Sequence, residues 1–213
     1  NEEIKEELTK VETPLYSAVF TNKGGGIANW KLKKHFTAKK DGSQPINLFQ
    51  TVAARGSLKT AVVVNNVAED LVFRASQTHN ATINLTGNEK AELVYSVLTP
   101  EGVAIEKKYI FNAAAYSVET GISVLNTAKT NAAGKVITAL NANVAGKDET
   151  GYHAGPIINA GKKLVRQDSD EAHKSGASNA AWFGVEDKYF LAVFILKDNV
   201  QTNQINWIPE AST

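Results

Sequence analysis

Short segments in which apolar and polar side chains alternate are the feature that most restricts the fold of this chain. Between Tyr116 and Val124, for example, Tyr116, Val118, Ile122 and Val124 fall on one side of an extended chain. A period of two residues is the spacing of a β-strand with one buried face. Segments of this kind recur at Leu15 to Thr21, Ile27 to His35, Leu58 to Val64, Leu71 to Ser76, Ala91 to Leu98, Val103 to Phe111 and Lys135 to Val144.

Turn-forming residues separate most of these segments, as at Gly24 to Gly26, Asp41-Gly42, Thr99 to Gly102 and Ala133-Gly134. Glycine, proline, asparagine and aspartate are the residues that reverse a chain between strands. No amphipathic segment of helix length alternates with the strands, which disfavours a parallel sheet with crossover helices. The sequence therefore predicts an all-β fold, an antiparallel β-sandwich with little helix.

The densest apolar stretch, AAWFGVEDKYFLAVFIL, covers residues 180–196 and is interrupted by Glu186, Asp187 and Lys188. Adjacent residues of a strand point to opposite faces, so Glu186 and Asp187 are poorly placed to act as a paired acid and base. We predict a polar turn there, between strands at Trp182 to Val185 and Tyr189 to Leu196. The second strand has no alternation, which predicts that both its faces are covered.

Composition limits the domain organisation and the partners. A chain of 213 residues, 43% of them apolar, can fold without a metal ion and without disulfides, and it contains no cysteine. With a formal charge of +1, the chain lacks the one-signed field that favours nucleic acid, so we expect no nucleic-acid partner. The same near-neutral charge is compatible with a monomer, which we also expect. We predict one domain at residues 11–213, preceded by a linker at residues 1–10.

Two segments offer ligand chemistry, and each has a simpler interpretation. Gly24 to Gly26 is not followed by Lys-Ser/Thr or by a helix, which favours a tight turn over a phosphate-binding loop. The cluster of Asp168, Asp170, Glu171 and His173 offers metal ligands. It lacks the spacing of a calcium loop or of a zinc-binding helix, which favours a solvated loop.

No catalytic residue, metal ligand or cofactor-binding residue can be assigned from spacing. The four histidines, His35, His79, His153 and His173, are scattered without spaced partners, and the chain has no Gly-x-Ser-x-Gly elbow. We therefore expect no cofactor and no enzymatic activity. Residues 146–179 are rich in glycine, asparagine, aspartate, serine and lysine, which predicts a long surface loop for variable contacts.

Two motifs indicate a family. One is YSAVFTNKGGGI, Tyr16 to Ile27, continued by Trp30, Leu32 and Lys33-Lys34. The other is Trp182-Phe183-Gly184 followed by DKYFLA, Asp187 to Ala192. In order and separation they resemble the large periplasmic domain of the bacterial YidC-type membrane protein insertases, of the YidC/Oxa/Alb family.

The middle of the chain extends this resemblance. Val103 to Phe111 and Tyr116 to Asn126 are similar to the paired central strands of that domain, so the match runs from about Val11 to Leu196. The family continues past this point through further strands. This chain ends soon after Trp207-Ile208-Pro209, so the resemblance implies either that the domain is truncated at its C-terminal end or that some of its residues are missing from the chain.

The resemblance also implies a fold and a location. The fold would be a β-supersandwich of the galactose mutarotase type. The parent protein would lie in the bacterial inner membrane, with one transmembrane helix before the domain and five after it, and the domain would face the periplasm. Residues 1–10 would link the domain to the first of these helices. Partners would be the Sec translocon, its accessory subunits and client membrane proteins.

Two functions are consistent with these observations. The first is a non-catalytic domain of an insertase that inserts and folds membrane proteins, alone or with the Sec translocon, in which this domain is a scaffold or a docking surface for Sec accessory subunits or clients. The alternative is a mutarotase-like protein that binds or epimerises aldoses. It is suggested by HNATINLTG, His79 to Gly87, but the histidine and asparagine of that family's motif are transposed and its aromatics are missing.

Overall fold

The computed structural model describes residues 5–38, 42–49, 57–64, 67–77, 80–128, 134–140, 152–161, 163–166, 177–178, 180–197 and 204–205. The chain divides into two compact units, residues 1–141 and residues 142–213. All regular elements among the described residues are β-strands, which confirms the all-β prediction. The arrangement is compatible with the supersandwich that the resemblance implies.

The first unit contains the strands up to residue 139. They are β1 (Leu8–Glu12), β2 (Tyr16–Thr21), β3 (Gly26–Phe36), β4 (Pro45–Asn47), β5 (Lys59–Val64), β6 (Val67–Asp70), β7 (Arg74–Ala75), β8 (Thr82–Asn84), β9 (Lys90–Leu98), β10 (Val103–Asn112), β11 (Glu119–Asn126) and β12 (Gly134–Ala139). They form three sheets, with strand orders β4-β3-β2-β1-β8, β11-β10-β9-β7 and β12-β5-β6. Neighbouring strands are antiparallel except β1 and β8, which pair in parallel with Lys10 opposite Thr82.

Strand β1 begins inside the segment predicted as a linker. Thr9 and Val11 are buried, whereas Leu8 and Lys10 are exposed. The alternation of buried and exposed residues that is typical of a strand therefore begins within the predicted linker. The sequence does not indicate this strand, because Ile4 and Leu8 are spaced as in a helix and the buried residue two positions before Val11 is a threonine. The role of the preceding residues as a linker stays a prediction.

The core of the first unit lies between the inner faces of two sheets. Phe20 of β2 contacts two rings of β10, with centroids 4.8 Å from Tyr109 and 5.2 Å from Phe111. Tyr95 of β9 packs edge-on against Tyr109, and these four side chains are at most 1% exposed. Large aromatic side chains that are fully buried contribute about 1.5–3 kcal/mol each, so this cluster is a major part of the stability.

The second unit is built around one four-stranded sheet. Its strands are β13 (Gly155–Ala160), β14 (Lys163–Arg166), β15 (Ala177–Ser178), β16 (Ala180–Glu186), β17 (Leu191–Ile195) and β18 (Gln204–Ile205). The main sheet has the order β14-β13-β16-β17, and β15 pairs with β18. The predicted strands on either side of Asp187 are therefore confirmed as β16 and β17.

The prediction of one long loop at residues 146–179 is wrong in its middle part. Strands β13 and β14 form a hairpin there, and Pro156, Ile157 and Ile158 are buried. Both faces of β13 are covered, so its short apolar run shows no alternation, and the surrounding glycines and asparagines mask it in the sequence. Proline is tolerated at position 156 because β14 pairs only with residues 157–160 and needs no N–H from it.

The prediction that β17 is covered on both faces is also wrong. Leu191, Val193 and Ile195 are 52%, 40% and 63% exposed, and they alternate with the half-buried Ala192 and Phe194. One face of β17 is therefore exposed and the other is half-buried, and β17 is the last strand of its sheet among the described residues. An apolar residue at every position hides this difference between the two faces.

A substitution in the glycine turn between β2 and β3 tests how tightly the first unit is packed. A Cβ on Gly26 would lie 2.9 Å from the Ser57 carbonyl oxygen and 2.7 Å from Lys59 Cγ. We expect Gly26→Ala to lower the free energy of unfolding by about 1–3 kcal/mol, because the backbone must move apart to admit the methyl group.

Gly121→Ala is the matched control for this substitution. A Cβ at Gly121 meets no atom within 4 Å, and Gly121 also lies in a strand. Alanine there should leave stability unchanged or raise it, since alanine restricts the unfolded chain. Denaturant unfolding of the two variants checks the difference, and equal losses would contradict the close approach at Gly26.

Candidate functional site

The glycine turn predicted at Gly24 to Gly26 is a tight turn that other strands enclose. Gly24 and Gly25 have φ angles of 70° and 53°, which glycine adopts without strain. The Gly24 N–H donates to the Leu71 carbonyl at 2.6 Å, and the Gly24 carbonyl accepts from the Thr60 N–H at 2.8 Å. These groups are occupied by the protein itself, so the turn is not shaped to hold a phosphate.

A lysine lies buried beneath this turn. Lys107 of β10 is 1% exposed, and its Nζ donates to Thr60 Oγ1 at 2.9 Å and to the carbonyl of Leu58. Leu58 has a φ of 53°, a left-handed conformation that is costly for a residue with a Cβ. The amino group also lies 5.3 Å from the centroid of the Tyr109 ring.

The alternation of inward and outward residues along β10 indicates in the sequence that this lysine is buried. Within Val103 to Phe111, residues 103, 105, 107, 109 and 111 share the inward face, so Lys107 stands where an apolar residue is expected. Burial lowers the pKa of the Lys107 amino group to about 7. Near neutral pH this amine therefore changes charge inside the core, where it is enclosed rather than open to a substrate.

The second unit brings together three ionisable residues that the sequence leaves apart. The Glu186 carboxylate, at the end of β16, accepts from Arg166 Nε at 2.5 Å and lies 2.8 Å from His153 Nδ1. Partial burial opposes ionisation of Glu186, but the hydrogen bonds from Arg166 and His153 outweigh it and lower the pKa of its carboxyl group. Sequence spacing shows no partner for His153, and the register of β13 and β16, with Gly155 opposite Glu186, brings it beside this carboxylate.

The polar turn after Glu186 is confirmed, but it begins one residue later than predicted. Glu186 is the last residue of β16, and Asp187 Oδ1 accepts from the N–H groups of Tyr189 and Phe190 at 2.7 Å each. Aspartate commonly closes such turns in this way. The two carboxylates therefore have separate structural roles, and they do not form an acid–base pair.

The other candidate residues do not assemble into a site among the described residues. The acidic cluster from Asp168 to His173, and His79, lie outside them. His35 lies at the exposed end of β3, with its ring centroid 6.1 Å from that of Tyr116. Within the described ranges no three residues among His, Cys, Asp and Glu are grouped so as to hold a metal ion.

The pKa of Lys107 makes the stability of the first unit depend on pH. Between the folded pKa of about 7 and the ordinary pKa of 10.5, the unfolded chain binds a proton that the folded chain does not. Stability should therefore rise with pH over this interval, by up to about 1.4 kcal/mol per pH unit. We expect Lys107→Met to remove this slope between pH 7 and pH 9, although it leaves the Leu58 carbonyl unpaired at every pH.

Chemical denaturation at several pH values measures this slope directly. Lys108→Met is the control, because Lys108 neighbours Lys107 in β10 but its side chain is 40% exposed. It should keep the wild-type dependence on pH. A Lys107→Met variant with an unchanged slope would show that the buried amine does not titrate in this range.

Comparison with known proteins gives the family. The model of the YidC periplasmic domain matches residues 8–210. The chain is 27% identical to the membrane protein insertase YidC of Syntrophus aciditrophicus over 199 residues, which are 90% of this chain and 36% of that protein. It is 28% identical to YidC of Geotalea daltonii over 204 residues, which are 92% of this chain and 38% of that protein.

Two further observations limit what this match says about the whole protein. The chain spans little more than a third of the length of these relatives. Among the described residues, no helix is both long enough and apolar enough to cross a membrane. The match with the family model nevertheless covers nearly all of the chain and includes both compact units. The chain therefore belongs to the family of YidC periplasmic domains.

Proposed function

We propose that this chain is a non-catalytic domain of an inner-membrane insertase, that it faces the periplasm, and that it serves as a scaffold or docking surface for Sec accessory subunits or client membrane proteins. The observation that carries the proposal is the family match over residues 8–210, to relatives named membrane protein insertase. The same match crosses both compact units, which supports treating residues 11–213 as one functional domain.

The surface that best fits docking is an apolar strip on β17. We define the β17 strip as Leu191, Val193 and Ile195, which are 40–63% exposed and share one face of the strand. Next to it, Tyr189 is 77% exposed in the turn that leads into β17. Contiguous apolar side chains on a water-facing surface commonly mark a site of protein contact.

The position of β17 in the sheet adds main-chain groups to this strip. On its inner side β17 pairs with β16, from Trp182 opposite Ile195 to Glu186 opposite Leu191. No strand among the described residues pairs with its outer side. An extended polypeptide can add itself to such an edge, with main-chain hydrogen bonds for affinity and side-chain contacts for selectivity. An extended client segment or a strand of a Sec subunit has this chemistry.

The roles of the polar clusters support a non-catalytic function. Arg166 and His153 both bind the Glu186 carboxylate, which fastens β14 and the segment before β13 to the end of β16. Lys107 is enclosed by Thr60, Leu58 and Tyr109. The first cluster joins parts of one sheet and the second joins two sheets, as expected for a domain whose surface, and not a pocket, makes the functional contact.

Photo-crosslinking in the full-length parent protein tests the docking role. We expect a photoreactive amino acid at Val193 or Ile195 to capture Sec subunits or client chains, because these side chains point to water at the edge of the sheet. Positions within residues 152–166 of the same unit should capture the same partners less efficiently. Immunodetection or mass spectrometry of the adducts identifies them.

Ser96 and Glu92 provide control positions. Both are exposed residues of β9 in the first unit. Glu92 is the stricter control, because Leu98, two residues beyond Ser96 on the same face, is itself 65% exposed. Capture at these positions equal to that at Val193 would indicate random collision. Absence of adducts everywhere on the domain would reject docking and leave the domain a spacer.

One observation favours the alternative enough to merit a test. His153 lies 2.8 Å from the carboxylate of Glu186, and a histidine oriented by a carboxylate is a common general base. The same carboxylate is already bound by Arg166, which stabilises its charge and makes it a structural partner. We expect the chain not to accelerate the mutarotation of freshly dissolved galactose or glucose.

Optical rotation over time measures this. The native chain and the His153→Ala and His79→Ala variants should all match the buffer rate. An acceleration that either substitution abolishes would establish epimerase activity and reject the non-catalytic proposal.

A further inference from the structure

The outer face of the first sheet carries a concentration of positive charge that the whole chain does not have. Residues 31–40 contain five lysines and no acidic residue, in a chain whose formal charge is only +1. Three lysines of the sheet, Lys31, Lys33 and Lys34, lie on the last part of β3 and are exposed. This local charge is not used by the docking function proposed above.

The register of the sheet places two of the three lysines of β3 on one face, together with Lys10 of β1. Glu12 of β1 stands opposite Ser17 of β2, and Ser17 stands opposite Lys31 of β3, so the three share a face. Alternation along the strands adds Lys10, Lys33 and His35 to this face. We call these residues, Lys10, Glu12, Ser17, Lys31, Lys33 and His35, the basic face. The opposite face of the same strands carries the buried Val11, Tyr16, Ala18, Trp30 and Leu32.

The single carboxylate of the basic face does not cancel its charge. Glu12 binds Lys10 Nζ at 2.6 Å and Lys33 Nζ at 2.5 Å, and its Oε1 accepts from Ser17 Oγ at 2.8 Å. Although partial burial opposes ionisation, these contacts lower the pKa of the Glu12 carboxyl to about 2. The carboxylate thus holds two ammonium groups in a fixed position, and Lys31 adds a further positive charge to the basic face. Lys34 lies on the opposite side of β3, where the strand is exposed on both sides.

The last residues of β3 extend beyond the buried part of the sheet, and the strand ends with an aromatic residue. Every residue from Lys33 to Ala38 is exposed, whichever face of the strand it belongs to. Phe36, the last residue of β3, is 49% exposed, and Tyr116 near His35 is 43% exposed. Lysines beside exposed aromatic rings are typical of protein surfaces that lie against the headgroups of a bilayer.

We propose that the basic face, together with Lys34 and Phe36, binds the surface of a bilayer that contains anionic phospholipids. Long basic side chains that share one face of a sheet can contact several phosphate groups of a lipid surface at once. An interface with an acidic protein would instead need an apolar centre. The basic face has no apolar centre: its apolar neighbours are the half-buried Val19 of β2 and, at the start of β1, Leu8, which is 40% exposed. The proposal rests on the proposed function in one respect, namely that an insertase domain works beside a bilayer.

Sedimentation with lipid vesicles tests the proposal on the 213-residue chain itself. We expect the chain to sediment with vesicles that contain phosphatidylglycerol and to stay in solution with vesicles of phosphatidylcholine alone. Binding should weaken as salt is added, since the attraction is electrostatic and screened. An equal concentration of free glycerol phosphate should not compete, which separates a lipid surface from a site for a single phosphate.

Substitutions at Lys31 and Lys34 leave the contacts of Glu12 intact. Each lysine near an anionic surface contributes about 1 kcal/mol, so K31Q/K34Q should lower the partition coefficient by roughly tenfold or more. The variant K90Q/K163Q is the control, because it removes the same charge from exposed positions of β9 and β14. It should bind as the native chain does. Phe36→Ser should weaken the part of the binding that persists at high salt, because the contact of an apolar ring is not screened by ions.

Three results would overturn the proposal. These are failure to sediment with phosphatidylglycerol, equal sedimentation with both lipids, and an equal loss of binding in the control variant. In the first case the basic face remains available to an acidic protein. The vesicles contain no protein and the β17 strip is unchanged in every variant, so this failure is distinguishable from failure of partner capture.

Discussion

The close contact at the glycine turn is the constraint on which the first unit depends. The turn joins β2 to β3 in one sheet, and its main chain is bonded to residues of the other two. The Gly24 carbonyl accepts a hydrogen bond from the N–H of Thr60, which lies in the sheet of β5. The Asn22 carbonyl accepts one from the N–H of Phe73, which lies next to β7. The Tyr109 hydroxyl, from β10, donates to the Gly25 carbonyl at 2.6 Å. Three sheets therefore meet at a few residues that have no side chain to keep them apart.

This contact explains why a costly amino group is tolerated in the core. Removing side chains from the turn leaves main-chain oxygens pointing inward, and buried acceptors need donors. Tyr109 supplies a donor for the Gly25 carbonyl of the turn. Lys107 supplies donors for the Leu58 carbonyl and the Thr60 hydroxyl, in the segment against which the turn packs. An apolar residue at position 107 would avoid the desolvation cost but leave the Leu58 carbonyl unpaired. The geometry of the turn and the chemistry of β10 are thus linked through hydrogen bonds between residues distant in sequence.

The sequence predicts the strands well where one face is buried and the other is wet. The alternation in Val103 to Phe111 and Ala91 to Leu98 gives β10 and β9 almost to the residue. It fails where both faces have the same character, as in β13, which is buried throughout its first four residues, and in β17, which is apolar throughout. The pair of His153 and Glu186 depends on the pairing of β13 with β16, and no local pattern states which strands pair.

The two surfaces proposed for function differ in the physical term that would drive binding. The β17 strip offers apolar area and unpaired main-chain groups, which act at contact distance and suit another polypeptide. The basic face offers charge that acts over about a Debye length, close to 10 Å at moderate salt, and suits a surface approached without a fitted partner. A single substitution can weaken either term alone, because no residue belongs to both surfaces. The two contacts are thus separable in principle, because one domain can bind a partner and a bilayer through different physical interactions.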